Sequence, residues 1–313
     1  MRFPFFDLHC DTATAMLERW ESLTRNSLAV SLERASGFDR YIQVMAIWTD
    51  HRLEDEAGWR RLHDVLAHLQ ADDALQSGKT RLVTECPMDG TAASLLLALE
   101  DARILNGRME RIHELYRLGF RILTPLWAGE TCIGGAHDTE TGLTVFGKDA
   151  VRESVRLGFL PDVSHASERS ADEIFEIAAN HCRPVMASHS NAYEICPVSR
   201  NLRSTQIKSI LDLNGIIGIN LYCKFLSKEH TASREDVLRH TEYFLEHGCE
   251  NALCFGGDMD GADLPDDIPD LSAIPSLRGF LSRYYSEELL NKLFFENAYS
   301  FAKRYLTPSA KNL

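Results

Sequence analysis

The stretch KDAVRESVRLGFLPDVSHASERSADEIFEIAANHCRPVMASHS (residues 148–190) reads as helix, strand, helix, strand. In Lys148–Leu157, Val151, Val155 and Leu157 lie towards one side, while Arg152, Glu153 and Arg156 fall elsewhere. That is the pattern of a helix with one buried face. Leu160–His165 is a short apolar run, Ser170–His181 is again of helical length, and Pro184–His189 is a second short run. Strands alternating with helices argue for βα units and a parallel sheet.

The same alternation extends in both directions. Candidate strands precede it at Phe5–His9, Ile42–Trp48, Leu95–Glu100 and Arg121–Leu126, and follow it at Ile216–Tyr222 and Ala252–Asp258. Plausible helices lie at Glu54–Gln76, Met109–Leu118, Ser204–Leu213 and Arg234–Glu246. Eight strands within roughly 260 residues predict an α/β fold of the (β/α)8 TIM barrel type. A doubly wound open sheet is the alternative, but no GxGxxG follows a strand, which disfavours its dinucleotide-binding version. After Asp258 come an acidic loop and helices near Ser276–Tyr284, Ser286–Phe295 and Ala298–Tyr305. No repeat, low-complexity stretch or Pro/Gly/Ser linker interrupts the 313 residues, so a single domain over 1–313 is expected.

Composition narrows the partners. Apolar residues make up 44 % and charged residues 25 %, which excludes a disordered or collagen-like chain. A net charge of −13 makes a poor grip for nucleic acid or an anionic membrane, and neither is expected as a partner. Met1–Asp7 is too short and too soon charged for a signal-peptide core, and Leu95–Leu99 falls far short of a membrane span. None of the eight cysteines forms a CxxC pair, so a cytoplasmic location is expected.

The informative feature is what ends the strands. The first ends in Asp7-Leu8-His9-Cys10-Asp11, the third in Leu99-Glu100, the fifth in Ser164-His165, the sixth in Ser188-His189, and the eighth in Gly257-Asp258-Met259-Asp260. In a barrel these ends converge on the C-terminal mouth, where such enzymes place their chemistry. Alternation along a strand puts His9 and Asp11 on one side. Asp11, Glu100 and Asp258 would share that mouth, and two carboxylates about 4 Å apart repel by roughly 4 kcal/mol at an effective dielectric near 20. With His9, His165 and His189 they make six ligand groups, too many for one tetrahedral zinc with an open position. The set suits two divalent ions bridged by a carboxylate and a hydroxide, with zinc favoured and manganese or iron as alternatives.

A lone strand-end histidine is most often structural; the joint pattern on five of eight strand ends is what points to metal. Competing motifs fail. Gly129 and Gly134 have P-loop spacing, but Gly135-Ala136 replaces the required Lys-Ser/Thr. Position twelve of a calcium loop starting at Asp258 would be Pro269. Arg117 stands where a zincin would have its second histidine after His113, and no GxSxG elbow exists. The remaining histidines, His230 among them, sit mostly in polar or helical context.

On these residues the chain resembles the renal (membrane) dipeptidase family of metallopeptidases, from about Phe6 to Tyr305. The strongest matches are Asp162-Val163-Ser164-His165, Ser188-His189-Ser190-Asn191-Ala192-Tyr193, Ser199-Arg200-Asn201 and Phe255-Gly256-Gly257-Asp258-Met259-Asp260-Gly261, with Gly142-Leu143-Thr144-Val145-Phe146-Gly147 in addition. The resemblance implies a (β/α)8 barrel with two zinc ions. It puts His9 and Asp11 on one ion with Asp258 beside it, His165 and His189 on the other, and Glu100 bridging. It also implies that Arg200 holds the substrate's C-terminal carboxylate, a bidentate fit for a guanidinium. Tyr222 falls where the family has a tyrosine near the site.

Two departures stand out. Glu100 is followed by Asp101-Ala102-Arg103, where the family typically has Glu-Gly. Family members commonly end the fourth strand with Leu-Thr-His and then Asn-Thr; here Trp127 takes the histidine position and Glu130 the asparagine position. A tryptophan N–H is a donor without positive charge, and loss of an oxyanion donor typically costs on the order of 10²–10³ in rate. Trp127 and Glu130 are therefore candidate substrate-binding residues, with Glu130 or His137 as candidates to compensate.

The reaction expected is hydrolysis of a dipeptide or dipeptide-like small amide by a metal-bridging hydroxide, with Asp258 and Glu100 as the catalytic carboxylates. Asp258 would carry a proton to the leaving amine. One rival is another binuclear amidohydrolase acting on a different C–N bond. Many of those open with His-x-His and use a carboxylated lysine on the fourth strand; here the motif is His-x-Asp and Arg121–Thr131 holds no lysine. The other rival is a metal-binding homologue with lost or weak peptidase activity. A homodimer is the assembly the resemblance suggests.

Overall fold

The computed structural model describes residues 2–53, 55–86, 88, 93–229 and 231–306. Glu54, expected to open a helix, and His230 lie outside the described residues. Among the described residues there are nine parallel strands: β1 (Phe5–Cys10), β2 (Tyr41–Trp48), β3 (Thr80–Leu82), β4 (Ala93–Glu100), β5 (Phe120–Thr124), β6 (Leu160–Pro161), β7 (Met186–Ala187), β8 (Ile216–Ile219) and β9 (Leu253–Phe255). Eight of them run in the order β6-β5-β4-β2-β1-β9-β8-β7. The ring closes where Val163 N donates to Met186 O at 2.9 Å, giving the (β/α)8 barrel. The short β3, not foreseen from sequence, pairs only with β4, outside the ring.

Alternation decides what enters the barrel. Phe6, Leu8, Ile42, Val44, Ala46, Leu96, Ala98, Ile122, Leu160, Met186, Ile216 and Cys254 form one buried cluster, joined by Ala298, Phe301 and Ala302 of the last helix, Asn297–Tyr305. The second cluster, including Phe5, Met45, Ile47, Leu95, Leu97 and Leu99, packs against the surrounding helices. The inward rows Ile42-Val44-Ala46 and Leu96-Ala98 continue, two residues on, to Trp48 and Glu100 at the C-terminal mouth. Strict alternation would set His9 with Phe5 and Asp7, opposite Phe6 and Leu8. The register between β1 and β2 shifts between Asp7 and Cys10, and such a bulge re-aims the side chains that follow it.

The four last barrel strands are shorter than the apolar runs suggest. His165 (φ 70°) and Asp258 (φ 58°) adopt left-handed backbone just past strand ends, which no ladder tolerates. The long helix expected to Gln76 breaks after Gln70, because the Asp72 side chain caps Ala74 N and starts a new turn. An unforeseen helix, Thr12–Arg19, follows β1 directly. Two threonines and no side-chain N-cap leave it a weak signal. Among the described residues, no helix is long and apolar enough to cross a membrane and no disulfide forms.

Candidate metal centre and substrate cavity

Five strand ends deliver the six expected ligand residues to one place. His9 Nε2 lies 3.4 Å from Asp11 Oδ2, 3.6 Å from Glu100 Oε2 and 3.9 Å from Asp258 Oδ1. The other Glu100 oxygen, Oε1, lies 3.0 Å from His165 Nε2 and 3.3 Å from His189 Nε2, and those two nitrogens are 3.0 Å apart. Three groups with ligand atoms close enough to hold a cation result: His9–Asp11–Glu100, Glu100–His165–His189 and His9–His189–Asp258. His9 Nε2 and Glu100 Oε1 are buried without a hydrogen-bond partner. Buried polar atoms of this kind are normally paired, so these converging nitrogen and oxygen atoms fit a divalent cation. Gly261 keeps the space open, since a Cβ there would lie 2.1 Å from Asp11 Oδ2.

Neighbouring groups orient the ligands. His165 Nδ1 sits 3.0 Å from Trp127 O, so Nδ1–H donates and Nε2 keeps its lone pair. His189 Nδ1 lies 2.6 Å from Ser188 Oγ, which donates to Asp162 Oδ2 at 2.5 Å. Buried Asp162 also accepts from Thr124 Oγ1, Ser164 N and Ser188 N, tying β5, β6 and β7 together under the site. Asn220 Nδ2 donates to Asp258 Oδ2 at 2.8 Å, leaving Oδ1 facing His9. Asp162, Ser188 and Asn220 carry no ligand signal of their own. Asn220 and Trp48 could have been found by asking what ends every strand, not only those ending in ligand types.

Without a cation these groups share protons. Burial alone would push His9 down, but Glu100, Asp11 and Asp258 outweigh it and hold its imidazole protonated up to about 10. Burial pushes Glu100 well above the usual carboxylate range, and raises Asp258 as well. Burial drives His165 and His189 well below the ordinary imidazole value, with the positive charge of Arg200 and His9 adding to it, so both are neutral. Cation uptake near neutrality therefore displaces protons, His9's among them. Zinc affinity is expected to fall by about tenfold per pH unit for each proton displaced as pH drops from about 8 to about 6. Zinc titrations in buffers of different ionisation enthalpy read that proton release directly; an affinity independent of pH would contradict it.

Above the ligands opens a cavity of about 420 Å³, its wall including Glu18, Trp48, Trp127, His137, Tyr222 and Phe225. Arg200 is buried and is not among the residues lining that cavity; its guanidinium donates to Ser190 Oγ (2.9 Å) and His189 O (3.0 Å), and Nε is unpartnered. Burial lowers its pKa to about 10, leaving it charged at neutral pH. Tyr222 packs edge-on against Phe225 at 4.7 Å. Glu130 is exposed and accepts from Thr141 Oγ1 at 3.2 Å; it is not among the residues lining the cavity. His137 does line it, with Nδ1 3.0 Å from Ser199 Oγ.

A (β/α)8 barrel whose C-terminal mouth gathers histidines and carboxylates beneath an open cavity defines a metal-dependent hydrolase. The chain belongs to the membrane dipeptidase family (peptidase family M19), which it matches over residues 1–305. It is 29 % identical over 251 residues to an uncharacterised Klebsiella pneumoniae protein encoded in the pqqA 5′ region, covering 74 % of this chain and 91 % of that one. A metallopeptidase from Rhodobacter sphaeroides, crystallised with a phosphinate mimic of the dipeptide L-Ala-D-Ala, superposes with a TM-score of 0.89 at 25 % identity, covering 97 % of this chain and 100 % of that one. The structure of dipeptidase AC, a metallopeptidase of the same family, superposes with a TM-score of 0.90 at 25 % identity, covering 98 % and 100 %. The protein is thus a metallodipeptidase-like hydrolase with a small peptide as its class of substrate.

Proposed function

We propose that the protein hydrolyses dipeptides at a pair of divalent cations, zinc in the first instance. His9, Asp11 and Asp258 would hold one, His165 and His189 the other, and Glu100 both. The observation that carries this reading is the Glu100 carboxylate, one oxygen facing His9 and the other facing His165 and His189. Bound there, two dications supply Lewis acidity to the scissile carbonyl and lower the pKa of water towards about 7.

The chain's own groups do the rest. Asp258, whose Oδ2 accepts from Asn220 while Oδ1 faces His9, would take a proton from the attacking water and return it to the leaving amine. Arg200, charged and with Nε unpartnered, draws the substrate carboxylate towards the His189 side of the mouth. Tyr222 and Trp127 flank the bound substrate from opposite sides of the ring. Glu130, exposed and outside the cavity wall, would meet only a substrate group that reaches beyond that wall. Orientation of this kind turns attack into a near-intramolecular event.

The test is metal analysis joined to a panel of L,L and L,D dipeptides. The L,D series is included because the Rhodobacter sphaeroides relative is liganded with a mimic of L-Ala-D-Ala. About two equivalents of zinc, turnover on part of the panel, loss on chelation and recovery on zinc addition are expected. Two bound metals with no turnover anywhere would replace this reading with a different C–N bond or a lost activity.

A further inference from the structure

The position that departs from the family pattern carries a second message. The Trp127 and Trp48 ring centroids lie 5.1 Å apart with their planes tilted by 54°, and His51 stacks on Trp127 at 5.3 Å and 28°. Both tryptophans line the cavity. Trp127 is fixed at its backbone as well, through its carbonyl bond to His165 Nδ1. Trp48 is anchored where its carbonyl accepts from Thr14 Oγ1 at 3.2 Å. The two rings, tilted by 54°, form an aromatic corner beside the candidate metal ligands.

Strand order locates this face relative to the substrate. Trp48 ends β2 and Trp127 follows β5, the two strands that flank Glu100 on β4. Arg200 follows β7, opposite β2 in the ring and two strands from β5, and Tyr222 follows β8, opposite β4. A dipeptide with its carboxylate drawn towards Arg200 and its amide bond above Glu100 points its amino-terminal residue towards Trp48 at the end of β2, with Trp127 beside that ring.

The acids lining the same cavity are already engaged. Asp11, Glu100 and Asp258 belong to the candidate ligand set. Asp260 accepts from Thr12 Oγ1, Ala29 N and Val30 N. Glu18 pairs with Arg61 at 3.3 Å. No uncommitted carboxylate among the described lining residues is left to select a basic side chain, so the aromatic face is the surface that discriminates.

We infer that Trp48 and Trp127 form the pocket for the substrate's amino-terminal side chain and select a bulky apolar or aromatic group there. The inference rests on the dipeptidase reading for the direction in which the substrate lies. Apolar pockets distinguish single methylenes by about 10–200-fold, and flat aromatic rings reward aromatic partners further.

Phosphinate dipeptide mimics keep binding separate from turnover. The probes are zinc-loaded protein and three mimics with glycine-, leucine- and phenylalanine-type amino-terminal groups and one common C-terminal residue. Calorimetry should rank the phenylalanine and leucine types at least about 10-fold tighter than the glycine type. Trp127→Ala and Trp48→Ala should each shrink that ratio to about threefold or less, and Trp127→Phe should restore most of it. Hydrolysis of the matching dipeptides should follow the same order in kcat/KM. Equal affinities, a ratio unchanged in both alanine variants, tightest binding by a basic analogue, or no binding of any mimic would overturn the inference. Ranked binding with no dipeptide cleaved would uphold the pocket and overturn the reaction; cleavage without ranking would do the reverse.

Discussion

Asp258→Asn is expected to lower kcat for dipeptide hydrolysis by about 10³-fold, within the range a positioned proton carrier supplies. The fold should survive. Asp258 holds a left-handed backbone at φ 58°, and asparagine tolerates that region as well as aspartate does. Its side-chain carbonyl can still accept the bond from Asn220 Nδ2 that Asp258 Oδ2 accepts now. Burial raises the Asp258 pKa, so the charged form is disfavoured in the folded chain when no cation is bound. A neutral amide removes that penalty, and the thermal midpoint of the chelated variant should equal or exceed that of the chelated parent. The cation on Glu100, His165 and His189 should remain, since Asp258 is not in that group. Steady-state kinetics with metal analysis on the same sample reads the outcome. Full turnover by a metal-loaded Asp258→Asn protein would remove Asp258 from the proton path.

How far the sequence is legible differs from element to element. β1, β2 and β4 are read nearly to the residue because six to eight consecutive positions are buried, and a continuous apolar run is hard to miss. The runs at Leu160–His165 and Ala252–Asp258 are read too long. Their ladder ends at Pro161 and Phe255, and the ligand-bearing residues beyond turn out of the sheet through positive φ. Sequence alone does not announce such a turn at a histidine or an aspartate. The cluster of six candidate ligands was legible because each member is a ligand type at a strand end. The cavity was only half legible. Trp127 and Tyr222 came into view through the family pattern, whereas Trp48, an apolar residue at the end of an apolar strand, looks like more of the same core. Thr14 and Glu18 line the cavity from a helix, Thr12–Arg19, that composition does not reveal.

Glu100→Gln tests the other half of the proposal, and its effect on metal should exceed its effect on fold. One oxygen of Glu100 faces His9 at 3.6 Å and the other faces His165 at 3.0 Å. Glutamine keeps the shape but turns one of those oxygens into an N–H₂ donor, which binds no cation. Whichever way the amide lies, one of the two sites loses its shared carboxylate. Zinc content is expected to drop from about two equivalents to one or fewer, and kcat/KM to fall by at least about 10³-fold, since neither Lewis acidity nor hydroxide supply survives with one ion misplaced. Stability should move the opposite way in the absence of metal. Burial holds the Glu100 pKa well above its ordinary value of 4.5. As pH rises past the unfolded value, the unfolded chain loses its proton first, and the folded chain then pays to keep or lose its own; stability falls with pH over that window. Glutamine has no proton to lose, so the chelated variant should be the more stable of the two above about pH 5, and the gap should widen towards neutrality. Zinc should reverse that order, because the parent gains from two bound ions and the variant from one at most. Thermal unfolding with and without chelator, at two pH values, reads both signs. If the variant keeps two zinc ions and its turnover, Glu100 does not bridge, and the pair of cations must be held some other way.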